Sequence, residues 1–172
     1  GINTLTFSAD IIMDWWQLFV KDPDENGYPD PADRSRNIEN WCAYAQSKGM
    51  DVYLWNHAIE LGEDVGLAPP AGVLYRENGL LYLDFDDPNL WAWLDSTYQK
   101  VMDKVPSMSG IVLSLTEARW QIHRGSHEPF YEKNDRKIAS SLPPDRRMAK
   151  VLNTMRNTLA ARGKKLIVRG FF

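Results

Sequence analysis

Short apolar runs and helical apolar stripes alternate along this chain of 172 residues. Runs rich in β-branched and aromatic side chains occupy residues 2–7, 52–55, 110–116 and 165–171, and they predict β-strands. The run at residues 110–116 is almost continuously apolar, as expected of a parallel strand that is covered on both faces. The sequence therefore predicts a sheet whose strands are separated by helices.

Helical spacing of apolar residues fills the intervals between these strands. It predicts helices over residues 11–19, 38–49, 87–106 and 148–163. The third is the best defined, because Asp87 can cap it, Pro88 suits its first turn and Pro106 ends it. Residues 22–37 are rich in Asp, Pro, Asn and Gly and predict a loop.

The connections between these elements differ in length in a regular way. Helix-to-strand connections take about one to five residues, whereas strand-to-helix connections reach roughly twenty to thirty. One long connection contains a predicted hairpin, residues 73–77 and 80–85, turned by Asn78 and Gly79. Long loops at the carboxyl ends of parallel strands build a cavity where such folds carry out chemistry.

We expect an α/β fold: a partial (β/α)8 TIM-type barrel of about four βα units, with parallel strands and long βα loops. Residues 1–172 would form one barrel segment, truncated at both ends. A doubly wound sheet is the alternative, but no glycine-rich phosphate loop follows any predicted strand. Since such a segment leaves two sheet edges open, the remainder of the barrel or a second copy of the chain would be needed for closure.

Composition narrows the choice of partners. A net charge of −3 gives little support for nucleic acid binding, and no apolar run is long enough for a membrane span. The lone Cys42 can form no intrachain disulfide, so the compartment stays undetermined. Seven Trp and seven Tyr suit a partner such as a sugar ring, which is apolar on one face and wet at its edge.

Candidate site residues lie just past the predicted strands. Glu117 directly follows an apolar strand, where low dielectric would raise its pKa enough for a general acid. A carboxylate paired with a nearby arginine is the structural alternative. The expected substrate contacts are Asp10, Asn56, His57, Arg119, Trp120 and Arg169.

Three of these contacts have a simpler explanation. Asn56 and His57 could instead be a helix cap and a surface histidine, and Asp10 could be an N-cap. Asp10 or Glu60 could supply the second carboxylate that glycosidic cleavage normally uses. His123 and His127 have metal-ligand spacing, but Gly125 weakens a helix between them, so no metal or cofactor is expected.

The remaining aromatic and acidic positions divide between site and scaffold. The aromatic residues in or near the long loops are candidates for stacking on sugars, namely Trp15, Trp16, Trp120, Phe130 and Tyr131. Trp41, Trp91 and Trp93 fall on helices and are expected to serve packing. The acidic run of residues 84–87 is explained by turn and cap chemistry.

Part of the chain resembles the middle of barrel glycoside hydrolases of the α-glucuronidase and β-hexosaminidase families. The resemblance rests on residues 83–91, the helix ending before Pro106 and residues 110–117. The likeness spans residues 36–118. In many such barrels a Glu ending the fourth strand is the general acid, which implies Glu117 if one strand precedes Gly1. Thr116 stands where hexosaminidases have an Asp, which argues against amino sugars, while Arg119, Arg124 and Arg169 would suit an acidic sugar.

The expected function is therefore a glycoside hydrolase-like segment acting on a carbohydrate, with Glu117 as general acid/base. A non-catalytic carbohydrate-binding or scaffolding domain is the second hypothesis. A metal-dependent sugar isomerase or hydrolase is the third, and it would need several ligands at strand ends.

Overall fold

The computed structural model describes residues 4–7, 31–57, 59, 69–115, 120, 122 and 136–169. Within these ranges the elements run in the order β1 (Thr4–Phe7), α1 (Pro31–Ser47), β2 (Asp51–His57), β3 (Leu74–Glu77), β4 (Leu80–Asp84), α2 (Pro88–Lys104), β5 (Gly110–Ser114), β6 (Arg136–Ala139), α3 (Pro144–Ala160) and β7 (Lys165–Arg169). The predicted helix over residues 11–19 lies outside the described residues.

The main sheet has four parallel strands in the order β1-β2-β5-β7, which is also their order along the chain. An α/β fold with parallel strands is thus confirmed. In the described part of the chain the sheet is open, with β1 and β7 as its edges, and no closed barrel is present.

The three helices α1, α2 and α3 pack on one face of this sheet. They share a single core with strand side chains that all point to that face, chiefly Val52, Leu54, Ile111 and Leu113, each fully buried. The stripe of α2 is formed by Leu90, Leu94, Tyr98 and Val101, and that of α3 by Val151, Met155 and Leu159. Spacings of three and four residues place each stripe on one side of its helix.

Local chemistry sets where these helices begin and end. The Asp87 side chain accepts the Asn89 backbone N–H at 2.8 Å, with Pro88 in the first turn, as predicted. Gly49 and Gly163 follow α1 and α3 with φ of 74° and 68°, a conformation that glycine adopts without strain. The short helix-to-strand connections follow directly from these stops.

Helix α1 corrects two predictions. It begins at Pro31, so the predicted loop over residues 22–37 is wrong from Pro31 onward. Pro fits a first helical turn, and the polar residues after it, such as Arg36 and Asn37, are solvent-exposed, so no apolar period marks this part of the helix. Trp41 was expected to pack but is 52% exposed, because the buried stripe of α1 runs through Ile38, Cys42 and Ala45.

A second, three-stranded sheet with the order β3-β4-β6 is built within the strand-to-helix connections. Strands β3 and β4 form the predicted hairpin, and Asn78 and Gly79 turn it with φ of 50° and 80°. Strand β6 pairs parallel to β4 and was not predicted, since residues 136–139 lie in a polar stretch. This pair links the connection after β2 to the connection after β5.

Candidate functional site

The strand register brings three polar side chains together at the carboxyl end of the main sheet. His57 is aligned with Ser114, and Ser114 with Arg169, so one row crosses β2, β5 and β7. Aligned residues of parallel strands share a face, and this row lies on the face opposite the helices. His57 and Arg169 are half-buried, whereas Ser114 is fully buried.

Trp55 lies one row below, on the same face, and links the two ends of that row. The Arg169 guanidinium carbon is 4.2 Å from the centroid of the Trp55 ring, and the His57 ring centroid is 6.3 Å from it. Since β2 and β7 are separated by β5, Arg169 reaches back across a whole strand to make this cation–π contact. The guanidinium is thereby held over an aromatic ring.

The indole N–H of Trp55 is a donor on the face that carries this row. It is buried, and it makes no hydrogen bond within the part of the chain that the structure describes. A buried donor left unpaired costs about 1–3 kcal/mol, so native proteins usually supply it with a partner. A ligand hydroxyl at this site would provide one.

At the amino end of the same face lies an ion pair, in contrast to the polar row at the carboxyl end. Lys165 Nζ lies 3.1 Å from Asp51 Oδ2, and the Tyr53 hydroxyl donates to the same oxygen at 3.4 Å. The Lys165 hydrogen bond holds the pKa of Asp51 below its usual value, and the same bond raises the pKa of Lys165. Both groups are therefore charged at neutral pH.

Asn56 is placed apart from the row that contains His57. It points to the helix face, is 3% exposed, and its Oδ1 accepts the Tyr98 hydroxyl of α2 at 2.8 Å. This contact favours a packing role. Its role as a substrate contact stays a prediction.

Trp120 is also buried, at 1% exposure, and the Arg136 guanidinium carbon is 5.4 Å from its ring centroid. Nearby, the buried Arg147 of α3 donates its Nε–H to the Ile122 carbonyl at 3.2 Å. A ring this deep in the core is not an open platform for a sugar. Burial therefore favours packing for Trp120, and its predicted substrate contact remains untested.

Glu117, Asp10 and Arg119 lie outside the described residues, as do Glu60, Arg124, His123 and His127. The same holds for Trp15, Trp16, Phe130 and Tyr131. Within the described ranges, no three His, Cys, Asp or Glu side chains come close enough to hold a metal ion. Among the described helices, none has the length and hydrophobicity that crossing a bilayer requires.

Several scaffold predictions are confirmed. Asp84 Oδ1 accepts the backbone N–H groups of Asp86 and Asp87 at 2.9 and 3.2 Å, which is turn chemistry. Trp91 packs against the core and donates its indole N–H to the Phe85 carbonyl at 3.1 Å. Cys42 is a buried free thiol, and burial raises its pKa to about 12.

Two residues of the site were not among the candidates from the sequence. Trp55 was assigned only to its strand, although it precedes His57 by two and so shares its face. Ser114 was hidden within an apolar run. Both could have been found by stepping back two residues at a time from a candidate at the end of a strand, because residues two apart in a strand lie on the same face.

Comparison with known proteins adds no relative to this picture. No protein-family model matches the chain, and no curated protein matches it closely enough to be counted as related. The function must therefore be argued from the site itself.

Proposed function

We propose that this chain is a glycoside hydrolase-like catalytic segment that acts on a carbohydrate, with Glu117 as its general acid/base. The observation that carries the proposal is the group at the carboxyl ends of the parallel strands, formed by Trp55, His57, Ser114 and Arg169. In open and closed parallel sheets alike, ligands bind at that end.

The finer fold proposed with this function is part of a (β/α)8 barrel. Its support is that the strands follow one another across the sheet in chain order, while the helices of the described ranges all pack on one face. In a doubly wound sheet the strand order reverses and helices cover both faces. A barrel interior would be the face that carries Trp55, His57 and Arg169.

The chemistry of these side chains suits a sugar. An indole ring offers an apolar surface, and the Trp55 N–H, for which the described residues provide no acceptor, can donate to a sugar hydroxyl. Arg169 and His57 add donors at the rim, and a guanidinium can bind a carboxylate in a bidentate manner. Glu117 follows Leu115 by two residues in the sequence and would supply the acid, while the second carboxylate would come from another strand.

The test is hydrolysis of a set of glycosides that differ in sugar and in leaving group, by the protein and by Glu117→Gln. The substitution should lower kcat/KM by about a hundredfold or more. The loss should be larger for methyl than for 4-nitrophenyl glycosides, because 4-nitrophenolate leaves without being protonated. The matched control is Asp103→Asn, which removes a carboxylate that pairs with Arg162 at 2.9 Å on the surface.

The outcomes separate the competing functions. Equal rates for Glu117→Gln and the unaltered protein on every substrate would reject Glu117 as the acid. Binding of sugars without turnover, weakened by Trp55→Ala, would instead favour the non-catalytic carbohydrate-binding function. Rate loss only after chelation would favour a metal-dependent enzyme.

The proposed partner, besides carbohydrate, is a further strand that covers β7, supplied by more of the barrel or by a second copy. Ile167 and Val168 point to opposite faces of this edge strand, yet they are 42% and 46% exposed. An uncovered β-branched edge tends to pair with another strand. Sedimentation of residues 1–172 as a stable monomer at all concentrations would contradict this.

A further inference from the structure

The small sheet presents an aromatic pair on the face turned away from the core. Tyr75 and Tyr82 are directly opposite each other on β3 and β4, and their rings stack with centroids 5.3 Å apart and an interplanar angle of 9°. Both are half-exposed, while Leu81 and Leu83, on the other face, are buried. We refer to Tyr75, Tyr82, Glu77, Asp84 and Lys137 as the tyrosine surface.

Polar groups border this pair on the same face. Lys137 of β6 is aligned with Tyr82, and Glu77 and Asp84 lie two residues along from Tyr75 and Tyr82. Burial, followed by the charges of Asp84 and Glu77, raises the pKa of Tyr75. The phenol is therefore neutral at neutral pH and can both donate and accept hydrogen bonds.

Topology puts the tyrosine surface at the same end of the molecule as the candidate site. Strand β4 leads into α2 at Pro88, and β6 leads into α3 at Pro144. The last turn of each helix leads to the amino end of the next strand of the main sheet. Since each helix is roughly 25 Å long, its first turn lies at the carboxyl end of that sheet. The small sheet is attached to both of these first turns.

We propose that the tyrosine surface is a second carbohydrate-binding site, which holds a neutral pyranose unit of a longer saccharide beside the strand-end site. Sugar C–H groups pack on aromatic rings, here on the ring faces that are not stacked on each other. The Glu77 carboxylate can accept from sugar hydroxyls, and the Lys137 ammonium can donate to them. The tyrosine surface has two carboxylates and one lysine, and this excess of negative charge disfavours nucleic acid or another polyanion as its ligand. The choice of a saccharide as ligand rests on the proposed function.

The experiment is native electrophoresis in gels that contain a soluble neutral polysaccharide: arabinoxylan, mixed-linkage β-glucan or galactomannan. The protein should be retarded in at least one gel relative to a gel without polysaccharide. Tyr75→Ala/Tyr82→Ala should lose this retardation, with an apparent affinity roughly tenfold weaker or more. Tyr75→Phe/Tyr82→Phe keeps the ring faces and should keep most of the retardation.

The matched control is Tyr44→Ala, since Tyr44 is a 66% exposed tyrosine that belongs to α1 and not to the small sheet. It should be retarded like the unaltered protein. Circular dichroism establishes that each variant is folded, and Tyr75→Thr/Tyr82→Thr, which retains strand propensity, replaces the alanine pair if that pair unfolds.

Absence of retardation in all gels, or equal retardation of the alanine pair and the unaltered protein, would overturn the proposal. Failure of the proposed function looks different. Glu117→Gln would hydrolyse glycosides like the unaltered protein, whatever the tyrosine surface does in the gels. Retardation that persists in Glu117→Gln while catalysis is lost would support both.

Discussion

The two faces of the main sheet follow different rules. On the helix face, Val52, Leu54, Ile111 and Leu113 are fully buried and apolar. The opposite face changes along the strands, from an ion pair at the amino end through Trp55 to the polar row at the carboxyl end. The first face holds the fold together, and the second carries the groups capable of chemistry.

The largest expected loss of stability comes from shortening a side chain of β5 on the helix face, and the neighbouring residue offers the same test on the opposite face. Leu113→Ala should destabilise the protein by about 2–5 kcal/mol, because a fully buried side chain is removed from under the helices. Val112→Ala shortens a half-exposed side chain on the opposite face and should cost about 1 kcal/mol. Urea unfolding of the two variants measures both. Equal losses would mean that the second face is packed as tightly as the first.

A smaller effect is expected from removing one hydroxyl on each face. Tyr98→Phe removes the 2.8 Å hydrogen bond that Asn56 Oδ1 accepts in the core and should cost about 1 kcal/mol. Tyr53→Phe removes a 3.4 Å bond to Asp51, which also pairs with Lys165, and should cost less. Denaturant midpoints compare the two. If Tyr98→Phe were neutral, the hydrogen bond between Tyr98 and Asn56 would not contribute to the stability of the core.

The helix-covered half of the fold was readable from the sequence because its cause is local. Leu90, Leu94 and Tyr98 repeat at helical spacing, and Asp87 and Pro88 signal the start of α2 by capping chemistry. Two elements gave no such signal. Residues 31–37 are helical but polar, and β6 owes its strand to pairing with β4, which comes from far along the chain.

The site was only partly readable. The rule that parallel strands end at one edge placed His57 and Arg169 at the same end of the sheet, where the register aligns both with Ser114. It could not separate Asn56 from His57, since adjacent strand residues point to opposite faces and the phase of the strand depends on packing. Nor could it foresee that Arg169 crosses β5 to reach Trp55, because this depends on the order of strands in the sheet.

The smallest expected effect concerns the ion pair of Asp51 and Lys165, which lies at the amino end of the face opposite the helices. Lys165→Met should raise the pKa of Asp51 toward its ordinary value, because the Lys165 hydrogen bond is the main cause of its depression. Lys164→Met is the control, as that lysine donates to the Pro106 carbonyl at 2.6 Å instead. NMR titration of the Asp51 carboxyl measures both variants.

The pH range in which this pair acts follows from the two shifts. The lowered pKa of Asp51 means that its contribution is lost as the pH falls through the folded value, below the usual range for a carboxyl. The raised pKa of Lys165 means that its contribution is lost as the pH rises through the folded value, above the usual range for an amine. The pair is thus complete between about pH 4 and pH 10. An unchanged Asp51 pKa in Lys165→Met would show that the other side chains that hydrogen-bond to the carboxyl, Ser109 and Tyr53, keep its pKa low without the lysine.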